Sequence, residues 1–141
     1  MKGPVHHHAY TWIGSGSDYG TDSLRRPTNA QFSTLSVAPI EPANWLLKSP
    51  KMIKGTFTEA AAALAWFEEQ IRAYAQSFDS DYQKSEAAIR SHVDGAQESI
   101  KIQRDAVGGW WMNGGSSFYS VQLVACPNFF RLEYACPQPP G

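Results

Sequence analysis

The sequence predicts an α+β fold, with an antiparallel helical hairpin packed on a small antiparallel β meander and a turn-rich N-terminal half. Three observations predict it. Residues 1–55 are interrupted by Gly, Pro, Ser and Asn, residues 56–107 carry apolar side chains at helical spacing, and residues 108–137 alternate apolar and polar side chains between turn signals. A chain of 141 residues with 43% hydrophobic residues supports one sizeable core, so 1–141 reads as a single domain.

In the N-terminal half, "GSGSDYGTDS", "RRPTN", "APIEPANW" and "KSPK" separate short apolar pieces. Of these, "AYTWI" and "QFSTLSV" are rich in aromatic and β-branched residues and fit short strands. Trp12, Tyr19, Phe32, Val37, Trp45 and Leu46 give this half something to bury, so it reads as irregular rather than disordered. "GSGSDYG" lacks the lysine and the following helix of a phosphate-cradling loop and reads as a flexible loop.

From residue 56 the pattern becomes helical. Thr56 and Glu59 have the spacing of a capping box, and Phe57, Leu64, Ile71 and Phe78 recur every seven residues, with Ala60, Phe67 and Tyr74 beside them. This predicts a helix over 57–78. Tyr82, Ile89, Val93, Ala96, Ile100 and Val107 form a second seam, which predicts a helix over 81–107, started by Asp79, Ser80 and Asp81 and stopped by Gly108-Gly109. So short a connection folds the two helices back on each other. A single long helix needing a partner chain is the competing picture.

The last segment reads as strands. Asn113-Gly114 is a strong two-residue hairpin signal, because both positions of a type I′ turn need positive φ. Pro127-Asn128 suggests a second reversal that pairs Ala125 with Phe130, Leu123 with Leu132, Val121 with Tyr134 and Tyr119 with Cys136. In that register the only two cysteines, Cys126 and Cys136, lie about 20 Å apart, too far for a disulfide within the chain. Each Ala-Cys-Pro then reads as a strand end with a small apolar cysteine. There is no Cys-x-x-Cys and no histidine near either cysteine in sequence, so neither a redox pair nor a zinc site is expected.

Net charge is −1 and charged residues make up 18%, which disfavours a nucleic-acid binder. No apolar run approaches the roughly 18 residues that span a bilayer, and "MKGPVHHHAY" has no apolar signal core, so the expected location is cytoplasmic, without membrane association. His6, His7 and His8 are adjacent but lack companion ligands at fixed spacing; no metal and no cofactor is expected.

No catalytic residues are assigned, because no nucleophile elbow or marked carboxylate pair is present and a solvated helix surface accounts for Glu68, Glu69, Asp94 and Glu98. Aromatic residues form 13% of the chain, and alternation sends Trp110 and Trp111 to opposite faces of one strand. The preferred reading is a small non-enzymatic binding protein, an inhibitor, immunity-type protein or adaptor. Its partner is a protein, recognised through exposed aromatics: Trp110, Trp111 and Tyr119, with Trp12 and Tyr19 from the N-terminal half. The alternative is a small-molecule-binding protein or small enzyme with an aromatic-lined pocket between helices and sheet, using Tyr74, His92 and Glu98. Either fits a homo-oligomer.

Overall fold

The computed structural model describes residues 5–140; residues 1–4 and 141 of the expected domain lie outside the described residues. The chain opens with strand β1 (His6–Ser15) and a single helical turn, α1 (Gly16–Tyr19), then passes through short 3-10 turns up to residue 52. Next come β2 (Gly55–Phe57), α2 (Ala60–Tyr74), α3 (Glu86–Lys101), β3 (Ala106–Met112) and β4 (Ser117–Cys126). The four strands form one antiparallel sheet in the order β2-β1-β4-β3. The fold is α+β.

The pattern of burial explains that order. Every residue of β4 from Phe118 to Cys126 is buried, so both faces of the strand must be covered and it takes a central position. On one face Tyr119, Val121 and Leu123 meet Ala63, Phe67 and Ile71 of α2 and Val93 and Ile100 of α3. On the other face Phe118, Val124 and Cys126 join Tyr10 and Trp12 of β1 beneath Val37, Ala38, Trp45 and Leu46 of the N-terminal segment. The turn-rich half is thus a second layer of cover, and its first strand lies in the middle of the sheet.

Both helices are shorter than their apolar periodicity predicts. The expected capping box does not form: Glu59 is the N-cap of α2 without a side-chain bond, while Thr56 and Phe57 pair with His8 and His7 in β2. Edge pairing with β1 satisfies the backbone that the helix would otherwise have used. At the other end Phe78 is buried beyond a 3-10 turn, in a bridge to Met112. Helix α3 is capped by Ser85, whose hydroxyl accepts from the Ala88 amide at 3.1 Å, and not by residues 79–81. It ends before Gln103, which has φ of 62°, so Val107, Gly108 and Gly109 belong to β3. Glu68 pairs with Arg90 and Arg72 with Glu86, so positions fall along α2 as they rise along α3.

The β3–β4 hairpin has positive φ at Asn113 and Gly114, as that dipeptide predicts, but the loop is longer. Gly115 is also left-handed, and pairing resumes at Met112–Ser117. The Asp79 carboxylate accepts the amides of Gly114 and Gly115 at 2.9 and 2.7 Å, so a residue expected to start a helix braces this loop instead.

The expected hairpin at Pro127-Asn128 is overturned. β4 pairs with β1 and β3, and residues 127–140 contain no strand. Its edge is taken by β1 over ten residue pairs, from His6–Cys126 to Ser15–Ser117. Tyr134, expected opposite Val121, instead donates its hydroxyl to Asn44 Oδ1 at 2.9 Å. "QFSTLSV" is likewise not a strand but holds a 3-10 turn at Phe32–Thr34. Among the described residues, no helix is long and apolar enough to cross a membrane.

Candidate functional site

Strand alternation sorts the three consecutive histidines. His6 and His8 are two apart and share the face of Tyr10 and Trp12, while His7 points to the other side, where its Nε2 donates to the Arg104 carbonyl at 2.9 Å. Burial lowers the His7 pKa, opposed by that carbonyl and by Asp105. Cross-strand pairing sets Cys126 opposite His6, and the segment after β4 returns Cys136 to the same place.

The result is a compact set of four donors. His6 Nε2 lies 3.2 Å from His8 Nε2, and each is 3.3 Å from Cys136 Sγ. With Cys126 Sγ, all four atoms fall within 4.8 Å of one another. His8 Nδ1 is 2.8 Å from Thr56 Oγ1, which fixes its ring and turns Nε2 into the cluster. Burial, then the neighbouring His6, pushes the His8 pKa down to about 4, so that imidazole is neutral at ordinary pH. Two imidazoles and two thiols are the donor types that hold a borderline-soft metal ion. The expected separation of about 20 Å between the cysteines is corrected, and so is the inference that cysteines without histidines nearby in sequence have none beside them in space. Histidines remote in sequence reach them because β1 pairs with β4.

Between the two cysteines, segment 127–135 is anchored below and exposed above. Buried Asn128 donates from Nδ2 to Asp105 Oδ1 at 2.9 Å and to the Ala125 carbonyl at 3.1 Å, and its Oδ1 accepts from the Phe130 amide. Asp105 also accepts from the Ala125 amide, and burial raises its pKa. Arg131 pairs with Glu41 at 2.8 Å. On this fixed base Phe129, Phe130 and Leu132 are 53%, 66% and 59% exposed. The Arg104 guanidinium stacks over Phe129 at 3.5 Å. Beside them a cavity of about 670 Å³ is lined by Ile102, Val107 and Phe130, with Arg104 and Arg131 among its polar groups.

The residues expected to form an exposed aromatic surface are mostly interior. Trp110, Tyr119 and Trp12 are buried: Trp110 stacks on Phe78, and the Tyr119 hydroxyl donates to the Gln70 carbonyl. Tyr19 is half-buried between Phe118 and the Arg25 guanidinium. Trp111 alone of the five is exposed, at 43%, on the face opposite Trp110 as alternation requires. Tyr74, His92 and Glu98 were expected to line a pocket between helices and sheet. The rings of Tyr74, Tyr119, Trp110 and His92 follow one another in contact where that pocket was expected, and Glu98 is exposed on α3.

Sequence reasoning passed over Phe130 and Leu132 because the supposed hairpin set them opposite Ala125 and Leu123 on its apolar face, and Phe129 because it lay beside the turn. The signal for the donor cluster was present in the His-x-His spacing on a β-rich segment, which places two imidazoles on one side of a strand. The chain matches no family model, no curated protein and no solved structure.

Proposed function

We propose that the protein is a small non-enzymatic binding protein, of inhibitor, immunity or adaptor type, that recognises an apolar, acid-bearing peptide segment of a protein partner through residues 127–135. One observation carries this reading: Phe129, Phe130 and Leu132 are exposed together on backbone that Asn128, Asp105 and the Arg131–Glu41 pair hold in place. Exposed apolar side chains cost solubility unless they are covered in use, and a fixed backbone reduces the ordering entropy that binding must overcome. Glu41 and Asp105 also line the cavity, but Glu41 is paired with Arg131 and Asp105 is taken by Asn128 and the Ala125 amide. Arg104 has no ion-pair partner among the described residues, so its guanidinium favours a carboxylate on the incoming segment. A cytoplasmic setting suits two cysteines kept reduced. Pairing of two copies through the same patch is the competing occupant.

The test is fluorescence anisotropy with labelled peptides that combine Leu or Phe with Asp or Glu, against counterparts carrying Lys. Acidic peptides should bind the wild type, and Phe130→Ala should weaken them about tenfold or more, the effect of a loss above 1.4 kcal/mol at an aromatic anchor. Equal binding of acidic and basic peptides, or equal binding by wild type and Phe130→Ala, would sink the proposal. So would a concentration-dependent dimer that Phe130→Ala dissolves, since it assigns the patch to self-association.

A further inference from the structure

We infer that His6, His8, Cys126 and Cys136 form a tetrahedral, zinc-class metal site that clamps the C-terminal segment to the end of the sheet. The inference is independent of the peptide surface proposed above.

Geometry is the first support. With zinc bonded to nitrogen at about 2.05 Å and to sulfur at about 2.3 Å, a tetrahedral site has edges of about 3.3 Å between nitrogens and about 3.6 Å between nitrogen and sulfur. The cluster has 3.2 Å between the two Nε2 atoms and 3.3 Å from each to Cys136 Sγ. These three edges agree within a few tenths of an ångström, and Cys126 Sγ, within 4.8 Å of the other three atoms, has to close by at most about 1 Å to complete the tetrahedron.

Proton bookkeeping is the second. Three mutual contacts join His6 Nε2, His8 Nε2 and Cys136 Sγ, and each would need its own proton to be a hydrogen bond. Each imidazole offers at most one proton at Nε2, and the thiol of Cys136 donates to the Gln138 carbonyl at 3.1 Å. At least one contact is therefore not a hydrogen bond but a close approach of like groups. A central cation with deprotonated cysteines accounts for all of them.

The surroundings are those of a structural site. Thr56 Oγ1, on edge strand β2, orients His8 through Nδ1, as outer groups do for metal-bound imidazoles. His6, His8 and Cys126 are buried and Cys136 is exposed, so an ion enters from the side of the C-terminal segment. Four protein ligands fill a tetrahedron and leave no position for water, which excludes hydrolytic use of the ion. His7 is no part of the site, because it points through the sheet to Arg104.

The position of His7 supplies the test. The untagged full-length chain is purified from zinc-supplemented medium, its zinc is measured by elemental analysis, and the apo chain is titrated with Co²⁺. A single zinc per chain is expected, together with tetrahedral cobalt bands and a thiolate-to-cobalt charge-transfer band. Cys136→Ser, a change at an exposed residue, should abolish both; Thr56→Val should weaken zinc about 10–100-fold, the usual range for an outer-shell partner. His7→Ala should keep the zinc and the charge-transfer band. Zinc retained by Cys136→Ser but lost in His7→Ala would overturn the proposal in favour of adventitious binding by the histidine run. A folded wild type that takes up neither metal would overturn it outright.

Discussion

The two faces of the sheet are covered by different kinds of chain. One face carries α2 and α3, whose backbone hydrogen bonds are internal and whose apolar stripes do the covering. The other carries residues 16–54, built from one helical turn and short 3-10 turns with local backbone bonds, in which several remaining carbonyls are taken by side chains. Arg25 donates to the carbonyls of Ala38 and Tyr19, and the Lys48 ammonium donates to those of Phe32 and Leu35. The two buried side-chain atoms without a hydrogen-bond partner among the described residues, Trp45 Nε1 and Gln122 Oε1, belong to this irregular side. A helical cover needs only an apolar stripe, whereas an irregular cover also needs particular side chains for the backbone groups that its short turns leave over. Irregular cover is therefore the more sensitive to single substitutions.

The sharpest way to break that comparison is to open a cavity on each side. Trp45→Ala should cost about 3–5 kcal/mol and Ile71→Ala about 2–5 kcal/mol in chemical denaturation, since both side chains are buried. The contrast lies in hydrogen exchange of the destabilised proteins. Trp45→Ala should speed exchange in residues 32–54 while α2 and α3 stay protected, whereas Ile71→Ala should loosen both helices. Identical exchange patterns would show that the two covers form one cooperative unit.

A smaller effect is expected where the helical layer meets the β3–β4 loop. Asp79→Ala removes a carboxylate that accepts two loop amides and should cost about 1.5–3 kcal/mol, the usual range for hydrogen bonds to a charged group. Asp79→Asn, which keeps one acceptor oxygen, should recover part of the loss. No difference between the alanine and asparagine variants would mean that the loop is held by its own turn and not by the helices.

The last effect concerns pH on the irregular side. Burial lowers the Lys48 pKa to about 8, against an ordinary value of about 10.4. Between those values the unfolded chain binds a proton that the folded chain does not, so folding stability gains with rising pH across this window. Below about pH 8 both states are protonated and the full penalty for the buried ammonium applies. The stability of the wild type relative to Lys48→Met should therefore rise between about pH 8 and 10, measured by urea denaturation. Parallel profiles would place the ammonium in effective contact with solvent.

The helical face was the legible one. Phe67, Ile71, Val93 and Ile100 announce their burial through spacing within one helix, and Asn113-Gly114 announces left-handed backbone through its own chemistry. Helix ends were misread because the groups competing for them are distant: Thr56 is taken by β1, and Asp79 by a loop 35 residues on. The largest misreading had the same origin. Local turn logic at Pro127-Asn128 offered β4 a neighbour ten residues away, whereas its true partner, β1, begins 120 residues before Cys126. With that pairing misplaced, the cysteines lost their histidines and Phe130 was paired with Ala125.

The sequence by itself determined the α+β class, the two helical segments, the β3–β4 reversal and the opposite orientation of Trp110 and Trp111, because each follows from spacing or backbone preference within a few residues. Only the tertiary structure decided that β1 lies beside β4, and hence that His6, His8, Cys126 and Cys136 converge while segment 127–135 is exposed. Strand pairing between chain ends depends on which neighbour buries more apolar surface and satisfies more backbone groups at once. That is a competition among all segments of the chain, and no local pattern records its outcome.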